Sequence, residues 1–272
     1  MSGAAPDIRY GSDGTAWNAS FEDLIARHGL RDIDAVMQRE DGEIIKHAIA
    51  QRKTVRLRLP GGSLVYLKRH YPVSIFKTIT NYLKLAPELT AFDEFENIIA
   101  FHRAGLPTIT PIAAGRRRGS FLITEALESC TRLDDYLGQA KLAHAARVTL
   151  ICRVADLIKK MHAAGFNHRD LYLCHILRDG QGNLYIIDLH RVQHRAAVPG
   201  RWLVKDIAAL NYSALEGIIS RTDRLRFLKA YLGVQRLSKR DWRFALKVLK
   251  KTEKMVEHNK KLHSTCCGGI IR

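Results

Sequence analysis

The chain has 272 residues, of which 46% are hydrophobic, so it can bury one large or two modest cores and is not a disordered protein. Lysine and arginine number 44 against 27 acidic residues, and the net charge of +17 indicates acidic partners such as nucleic acid, nucleotide or anionic lipid. The five cysteines include no C-x-x-C pair, which favours a reducing compartment, the cytoplasm. We find no signal-peptide pattern and no apolar run long enough to span a membrane, so we expect any membrane contact to be peripheral.

The amino-terminal segment carries the pattern of a short helix. Ser20 begins the sequence SFED, which resembles a capping box, and Gly29 follows His28 as a helix-ending residue. We therefore predict that residues 1–30 form a lead-in helix to the main fold.

Residues 34–69 carry strand patterns. Polar and apolar residues alternate over 54–59 and again over 63–69, and the turn Pro-Gly-Gly separates the two runs. This pattern predicts a β-hairpin that ends on Lys68, while the preceding segment, 36–58, is the candidate first hairpin.

A helix is predicted after Thr90, which forms a capping-box pattern with Asp93. Glu94 lies on the same face as the apolar residues of this helix, whereas Glu96 lies on a polar face. If a glutamate of this helix pairs with Lys68, Glu94 is therefore the preferred candidate, and Glu96 is the alternative.

The remaining pattern divides the chain into a strand-rich first half and a helical second half. A basic turn at 116–119 leads into a predicted strand at 121–124, and the apolar spacing of 145–164 predicts a long helix. We assign residues 31–127 to a strand-rich lobe and residues 128–272 to a helical lobe.

Two aspartates mark a candidate phosphotransferase site. His-Arg-Asp ends at Asp170, and Ile-Ile-Asp ends at Asp188, with a predicted strand, turn and strand between them. In kinases the first aspartate takes the proton of the attacking hydroxyl and the second binds magnesium, while a strand lysine held by a helix glutamate contacts the nucleotide phosphates. Lys68, Glu94, Asp170 and Asp188 occur in that order.

Asp206 lies in the sequence KDIAALNYS, which has helical character. One interpretation places it near a helix amino terminus, where the macrodipole favours an acid. The other makes it a buried residue that anchors the backbone of the catalytic loop.

Several motifs together resemble one family, the bacterial lipopolysaccharide core heptose kinases, a divergent branch of the protein-kinase-like fold. The motifs cover most of 55–232 and are HRDLYLCHIL, IIDLHR, RWLVKDIAALNYS, SLVYLKRHYP, SIFKTITNYLKLAP, GLPTITPIAAG, FLITEAL and TDRLRFLKAYL.

The resemblance implies a two-lobed α+β fold and the transfer of phosphate from ATP, with Mg²⁺, to a hydroxyl of L-glycero-D-manno-heptose in the inner core of lipopolysaccharide. The expected partners are the core or a lipid-linked oligosaccharide acceptor and the anionic cytoplasmic face of the inner membrane, with no nucleic acid. The residues it implies are Asp170, Arg169 and His175 for catalysis, Lys68, Glu94, Thr124, Glu125 and Leu127 for the nucleotide, and Asp188 with His175 for metal.

Three departures from ordinary kinases bear on this site. His175 replaces the usual metal-binding asparagine, although magnesium prefers oxygen ligands, which disfavours a second metal. His190 replaces the glycine two residues after Asp188, which removes backbone freedom and indicates a loop fixed in its active shape. No glycine-rich phosphate loop precedes Lys68, so side chains or another backbone segment must cover the phosphates. The resembled family shares the first two departures.

The segment 235–261 contains ten basic residues and three acidic ones. Ser238 and Asp241 form a capping-box pattern. A stripe that we call the basic face contains Arg243, Lys247, Lys250 and Lys254. A separate apolar stripe contains Trp242, Ala245, Leu246, Leu249 and Val256. This helix is either packed into the core with its charges in solvent or a surface for anionic lipid.

Three alternatives to the heptose kinase stay open. The acceptor could be 3-deoxy-D-manno-octulosonic acid (Kdo) or a second heptose, because loops rather than the fold determine the acceptor. A protein kinase is disfavoured, because the segment between 191 and 205 is too short for an activation loop and has no Ala-Pro-Glu motif. The third alternative is a catalytically silent nucleotide-binding scaffold in envelope assembly.

Overall fold

A computed structural model describes residues 5–49, 51–72, 89–214 and 217–267. The motif SIFKTITNYLKLAP lies outside the described residues. The chain forms two compact units, the first from 1–129 and 185–191 and the second from 130–184 and 192–272.

An antiparallel sheet is the centre of the first unit. Its strands are β1 (Ile8–Tyr10), β2 (Thr15–Asn18), β3 (Glu43–Ile49), β4 (Arg52–Arg58), β5 (Leu64–His70), β6 (Pro111–Arg116) and β7 (Ser120–Glu125). Their order in the sheet is β1-β2-β6-β7-β5-β4-β3. The helices of this unit are α1 (Glu22–His28), α2 (Ile33–Gln38) and α3 (Ala91–Arg103). The predicted hairpin of β4 and β5 is confirmed, with Thr54 opposite Lys68.

Strand alternation determines what each face of this sheet carries. Val65 and Leu67 of β5 belong to a buried cluster that includes Ile33 and Val36 of α2. Because successive side chains of a strand point to opposite faces, Lys68 lies on the other face.

Helix α3 begins as predicted. Thr90 and Asp93 form a capping box, and buried residues of the helix include Glu94, Phe95 and Ile98. The spacing of these buried residues follows the helical period, as the apolar pattern predicted.

Two predictions for the start of the chain are wrong. Residues 33–38 form helix α2 rather than a strand, because the Asp32 side chain accepts a hydrogen bond from the backbone of Ala35 and caps the helix. The first hairpin therefore consists of β3 and β4 and begins only at Glu43.

The lead-in segment contains more than the predicted helix. Strands β1 and β2 extend the main sheet beyond β6. The side chain of Asn18, rather than that of Ser20, accepts the capping hydrogen bond at the start of the turn before α1. Helix α1 itself ends at His28 as predicted, and Gly29 adopts a left-handed conformation.

The second unit is mainly helical. Its helices are α4 (Leu133–Gln139), α5 (His144–Ala163), α6 (Gly200–Ser213), α7 (Arg221–Leu232) and α8 (Lys239–Cys267). Its short strands are β8 (Thr131–Arg132), β9 (Phe166–Asn167), β10 (Ile176–Arg178) and β12 (Gln193–His194). Strand β11 (Leu184–Ile186) follows β10, and the chain passes from the second unit to the first within this strand. The predicted α+β class, with a strand-rich first part and a helical second part, is confirmed.

Helix α8 packs through only part of its surface. Ser238 and Asp241 form the predicted reciprocal capping contacts, and Ala245 and Val248 are buried. The apolar side chains that remain exposed are Trp242, Leu246, Leu249 and Val256. All four members of the basic face are also exposed.

An apolar cavity of about 520 Å³ lies within the second unit. Aliphatic and aromatic side chains from α4 to α8 dominate its lining, among them Leu137, Ile151, Leu210, Leu228 and Trp242. No helix among the described residues is both long enough and apolar enough to span a membrane.

Candidate active site

Lys68 is at the centre of a charged cluster in the first unit. Its Nζ donates a hydrogen bond to Glu94 Oε1 at 2.6 Å and lies 3.6 Å from Asp188 Oδ1. The Glu94 side chain is 1% exposed, whereas those of Lys68 and Asp188 are 22% and 28% exposed. One ammonium therefore faces a buried carboxylate on one side and a more accessible carboxylate on the other.

The pKa of Lys68 reflects these neighbours. Burial lowers the pKa, but the negative charges of Glu94 and Asp188 outweigh burial and raise the pKa above its ordinary value of 10.5. Lys68 is thus a cation at neutral pH, as a group that contacts nucleotide phosphates must be.

Helix α3 determines which glutamate reaches Lys68. Glu94 is the glutamate that contacts Lys68, whereas Glu96 accepts a hydrogen bond from the Tyr10 hydroxyl at 3.3 Å. One turn after Glu94, Asn97 donates its side-chain amide to the backbone carbonyl of Leu189 at 2.8 Å. The same helix face therefore contacts both Lys68 and the turn that follows Asp188.

Hydrogen bonds hold the backbone that precedes Asp188. Thr108 donates its hydroxyl to the carbonyl of Ile186 at 2.6 Å, and the amide of Ile186 donates to the carbonyl of Pro107. Asp188 itself adopts φ 61°, a left-handed conformation that aspartate tolerates better than most residues.

A histidine lies near the same cluster. His70 follows Lys68 by two residues on β5 and therefore shares its face of the sheet. Burial, followed by the positive charge of Arg52, lowers the pKa of His70 to about 4. The imidazole is neutral at physiological pH and adds no charge to the cluster.

The loop of Asp170 lies in the second unit, where Asp206 anchors its backbone. Asp206 is fully buried in α6 and accepts hydrogen bonds from the amides of His168 and Arg169 at 2.7 and 2.8 Å. The anchoring interpretation is confirmed, and the helix-terminus interpretation is wrong because Asp206 lies in the middle of α6. His162 also contacts Asp206, at 3.3 Å.

Gly165 sets the chain direction just before this loop. Its φ is 84°, and a Cβ at this position would lie 2.0 Å from the carbonyl oxygen of Arg195. Only glycine can occupy the position without displacing backbone.

Arg169 and His175 flank Asp170. Arg169 has a φ of 72°, and its guanidinium lies over the Trp202 ring at 5.3 Å. His175 Nδ1 lies 2.8 Å from the backbone carbonyl oxygen of Asp170. The contact links two positions of one loop, while the catalytic and metal-binding roles of His175 stay predictions.

The predicted adenine connection follows β7. Thr124 is buried opposite Tyr66, and the amide of Glu125 donates to the carbonyl of Thr110. Leu127 follows two residues after the end of the strand. The roles of Thr124, Glu125 and Leu127 in nucleotide binding stay predictions.

Asp188 and Lys68 fit magnesium nucleotide better than a metal bound by protein alone. No group of three or more histidine, cysteine, aspartate or glutamate residues with metal-binding geometry occurs in the described parts of the chain. Magnesium commonly uses one or two carboxylates and completes its coordination with substrate phosphates and water. A carboxylate beside a lysine ammonium is suited to that arrangement.

Sequence reasoning missed some residues that support the two clusters. Asn97, His70 and His162 were not singled out, although Asn97 is spaced one helical turn from Glu94 and His70 two strand positions from Lys68. These spacings are the signals that could have indicated them.

Comparisons with known proteins identify the family of this chain. The model of the lipopolysaccharide kinase (Kdo/WaaP) family matches residues 37–231. The chain is 36% identical over 221 residues to the lipopolysaccharide core heptose(I) kinase WaaP of Escherichia coli K12, covering 75% of this chain and 83% of that protein. It is also 36% identical over 198 residues to the WaaP of Pseudomonas aeruginosa, covering 66% of this chain and 73% of the relative.

A more distant relative is the 3-deoxy-D-manno-octulosonic acid kinase of Vibrio vulnificus YJ016, 32% identical over 111 residues that cover 39% of this chain and 45% of the relative. A solved structure described as WaaP in complex with acyl carrier protein has 31% identity and a TM-score of 0.69, covering 87% of this chain and 96% of that one. The family resemblance and the kinase-like fold are thereby confirmed. The chain belongs to the lipopolysaccharide kinase (Kdo/WaaP) family and is an ATP-dependent sugar kinase.

Proposed function

We propose that this kinase transfers the γ-phosphate of ATP to a hydroxyl of heptose in the inner core of lipopolysaccharide. The observation that carries the proposed chemistry is Lys68 Nζ between Glu94 and Asp188, because this cluster matches the nucleotide-phosphate site of kinases. The choice of heptose rests on the WaaP relatives, which are more similar to this chain than the Kdo kinase of Vibrio vulnificus.

Each residue has a distinct role in this proposal. Lys68, oriented by Glu94, contacts the α- and β-phosphates, and Asp188 binds magnesium. Bound magnesium supplies positive charge that neutralises the phosphates during transfer. Asp170 accepts the proton of the attacking heptose hydroxyl, and Asp206 keeps the loop of Asp170 in shape through two backbone amides.

The remaining predicted residues complete the site. Arg169 and His175 support the catalytic loop, and His175 is a second candidate for contact with metal. The connection from Thr124 to Leu127 contacts adenine. We assign residues 31–127 to a kinase-like strand-rich lobe and residues 128–272 to a kinase-like helical lobe, with 1–30 as an accessory segment.

Acceptors of graded length test this function. Purified protein with ATP and Mg²⁺ should phosphorylate lipopolysaccharide core that ends in the first heptose but not an acceptor truncated to Kdo. Phosphorylation of the Kdo-only acceptor would favour the Kdo kinase alternative. Phosphorylation only after addition of a second heptose would indicate that the second heptose is the acceptor. ATP binding without turnover on any acceptor would instead favour the silent scaffold.

An acyl carrier protein is a second partner that we propose. The related solved structure contains WaaP with such a protein. The apolar cavity of the second unit supports the proposal, because its volume of about 520 Å³ and aliphatic lining suit an acyl chain. Native mass spectrometry should detect a complex with an acylated carrier protein and little complex with the carrier lacking its acyl chain. Equal binding of both forms would argue against use of the cavity.

We also propose that the kinase works at the cytoplasmic face of the inner membrane. Exposed Trp242, Leu246 and Leu249 lie beside the exposed basic face of α8, and apolar residues next to cations are typical of helices that bind anionic lipid surfaces. The lipid acceptor and the membrane would then be contacted together.

A further inference from the structure

His190 connects a cation and the carboxylate of Asp188. Its Nε2 lies 3.1 Å from a guanidinium nitrogen of Arg52, and its Nδ1 lies 3.5 Å from Asp188 Oδ1. All three residues belong to the first unit, and the His190 side chain is 18% exposed. The imidazole therefore contacts the two groups through opposite nitrogens.

The Arg52 contact determines where the imidazole carries its hydrogen. A guanidinium has only donors, so Nε2 must accept the hydrogen bond from Arg52. The ring hydrogen is then on Nδ1, the nitrogen that faces Asp188. Arg52 thus gives His190 a donor directed at the carboxylate.

The geometry constrains one oxygen of Asp188 from two sides. Oδ1 is 3.6 Å from Lys68 Nζ and 3.5 Å from His190 Nδ1. The backbone that carries His190 is held separately, because Asn97 donates to the carbonyl of Leu189. A rotation of the Asp188 side chain would therefore have to break contacts with two different elements.

We propose that His190 is a positioning residue, which orients the Asp188 carboxylate for magnesium and depends on Arg52 for its tautomer. The proposal rests on the proposed role of Asp188 as the magnesium ligand. Such partners of a metal ligand typically change metal affinity or activity by about 10- to 100-fold when removed. His190 stands where kinases usually have glycine, and in this proposal it orients Asp188 in addition to restricting the backbone.

Nucleotide affinity with and without magnesium tests the proposal. Titration calorimetry would measure binding of a non-hydrolysable ATP analogue to the parent protein and to His190→Ala. We expect the gain in affinity that magnesium gives to fall by about tenfold or more in the variant, while metal-free affinity stays within about twofold. His190→Asn retains a donor near the position of Nδ1 and should keep more of the magnesium effect than His190→Ala.

Arg52→Gln and Lys53→Ala form a matched comparison. Arg52→Gln removes the guanidinium that sets the tautomer and should reduce the magnesium effect in the same direction as His190→Ala. Lys53 is the neighbouring cation on β4, and its side chain points to the other face of the strand. Lys53→Ala should therefore leave the magnesium effect at the parent value.

The outcomes separate this proposal from the proposed function. An unchanged magnesium effect in His190→Ala would overturn the positioning role, and so would an equal loss of metal-free and magnesium-dependent affinity, because His190 would then contact the phosphates itself. The magnesium effect on nucleotide affinity is also measured for Asp188→Ala. If that variant keeps the full magnesium effect, the assignment of Asp188 as the ligand fails, whatever His190 does.

Discussion

Replacing Glu94 by glutamine should destabilise the first unit far more than the same change at Glu96. Glu94 is 1% exposed and accepts a 2.6 Å hydrogen bond from Lys68, so its loss leaves a largely buried ammonium that still lies 3.6 Å from Asp188 Oδ1. Removal of one partner from a buried ion pair typically costs about 3–5 kcal/mol. We expect about 3 kcal/mol, the lower end of that range, because 22% of the Lys68 side chain is exposed.

Thermal unfolding followed by circular dichroism measures this difference. A loss of about 3 kcal/mol corresponds to a decrease in Tm of roughly 6–12 °C for a protein of this size class. The raised pKa of Lys68 means that the stabilisation is fully present below pH 10.5, the ordinary value, and is lost as the pH rises through the folded-state pKa. Measurements near pH 7.5 therefore include the whole effect.

Glu96→Gln is the matched control. Glu96 accepts a hydrogen bond from the exposed hydroxyl of Tyr10, so Glu96→Gln should change the free energy of unfolding by no more than about 0.5 kcal/mol. The double variant Lys68→Met, Glu94→Gln should be more stable than the sum of the single changes predicts, by about 0.5–3 kcal/mol. Equal destabilisation by Glu94→Gln and Glu96→Gln would refute the argument that the helix face selects Glu94.

Three further predictions address other parts of the chain. Asp170→Asn should fold and bind ATP but lose about 10²–10⁴-fold in turnover, because it removes the proton acceptor, and rapid-quench activity within about threefold of the parent would contradict this role. Because the pKa of His70 is lowered from 6.5 to about 4, the unfolded state binds more protons than the folded state between these values. The parent should therefore lose stability in urea melts as the pH falls from 6.5 to 4, and His70→Gln should lose less. Replacing the four residues of the basic face by glutamate should weaken co-sedimentation with anionic vesicles, and the parent protein's binding should itself decrease as salt is raised. A short soluble heptose acceptor should still be phosphorylated at the parent rate. Unchanged binding to vesicles would favour a helix whose charges are merely solvated.

Local patterns predicted the parts of the site that depend on one element. The helical period distinguished Glu94 from Glu96, and strand alternation placed Lys68 near the end of β5. The capping pattern of Thr90 with Asp93 located the start of α3 because those contacts involve neighbours in sequence. Such features need no knowledge of the rest of the fold.

Features that depend on distant neighbours were not predictable. All four residues of β2 are buried, so the strand lacks the alternation by which half-exposed strands are recognised. Helix α2 has only six residues, too few for a periodic pattern to distinguish it from a strand. The contact between Arg52 and His190 joins residues 138 positions apart, and no spacing rule relates them.

Helix α3 contacts both groups to which we assign roles in phosphate transfer. Glu94 holds Lys68, and Asn97, one turn later on the same helix, holds the carbonyl of Leu189 in the turn after Asp188. A displaced α3 would leave Lys68 without its buried partner and the turn without its hydrogen bond at the same time. A flexible glycine after the metal aspartate is useful where a kinase alternates between loop conformations. Here the Leu189 carbonyl and the His190 ring both make contacts within the first unit, and these contacts support our prediction that the loop is fixed in one conformation.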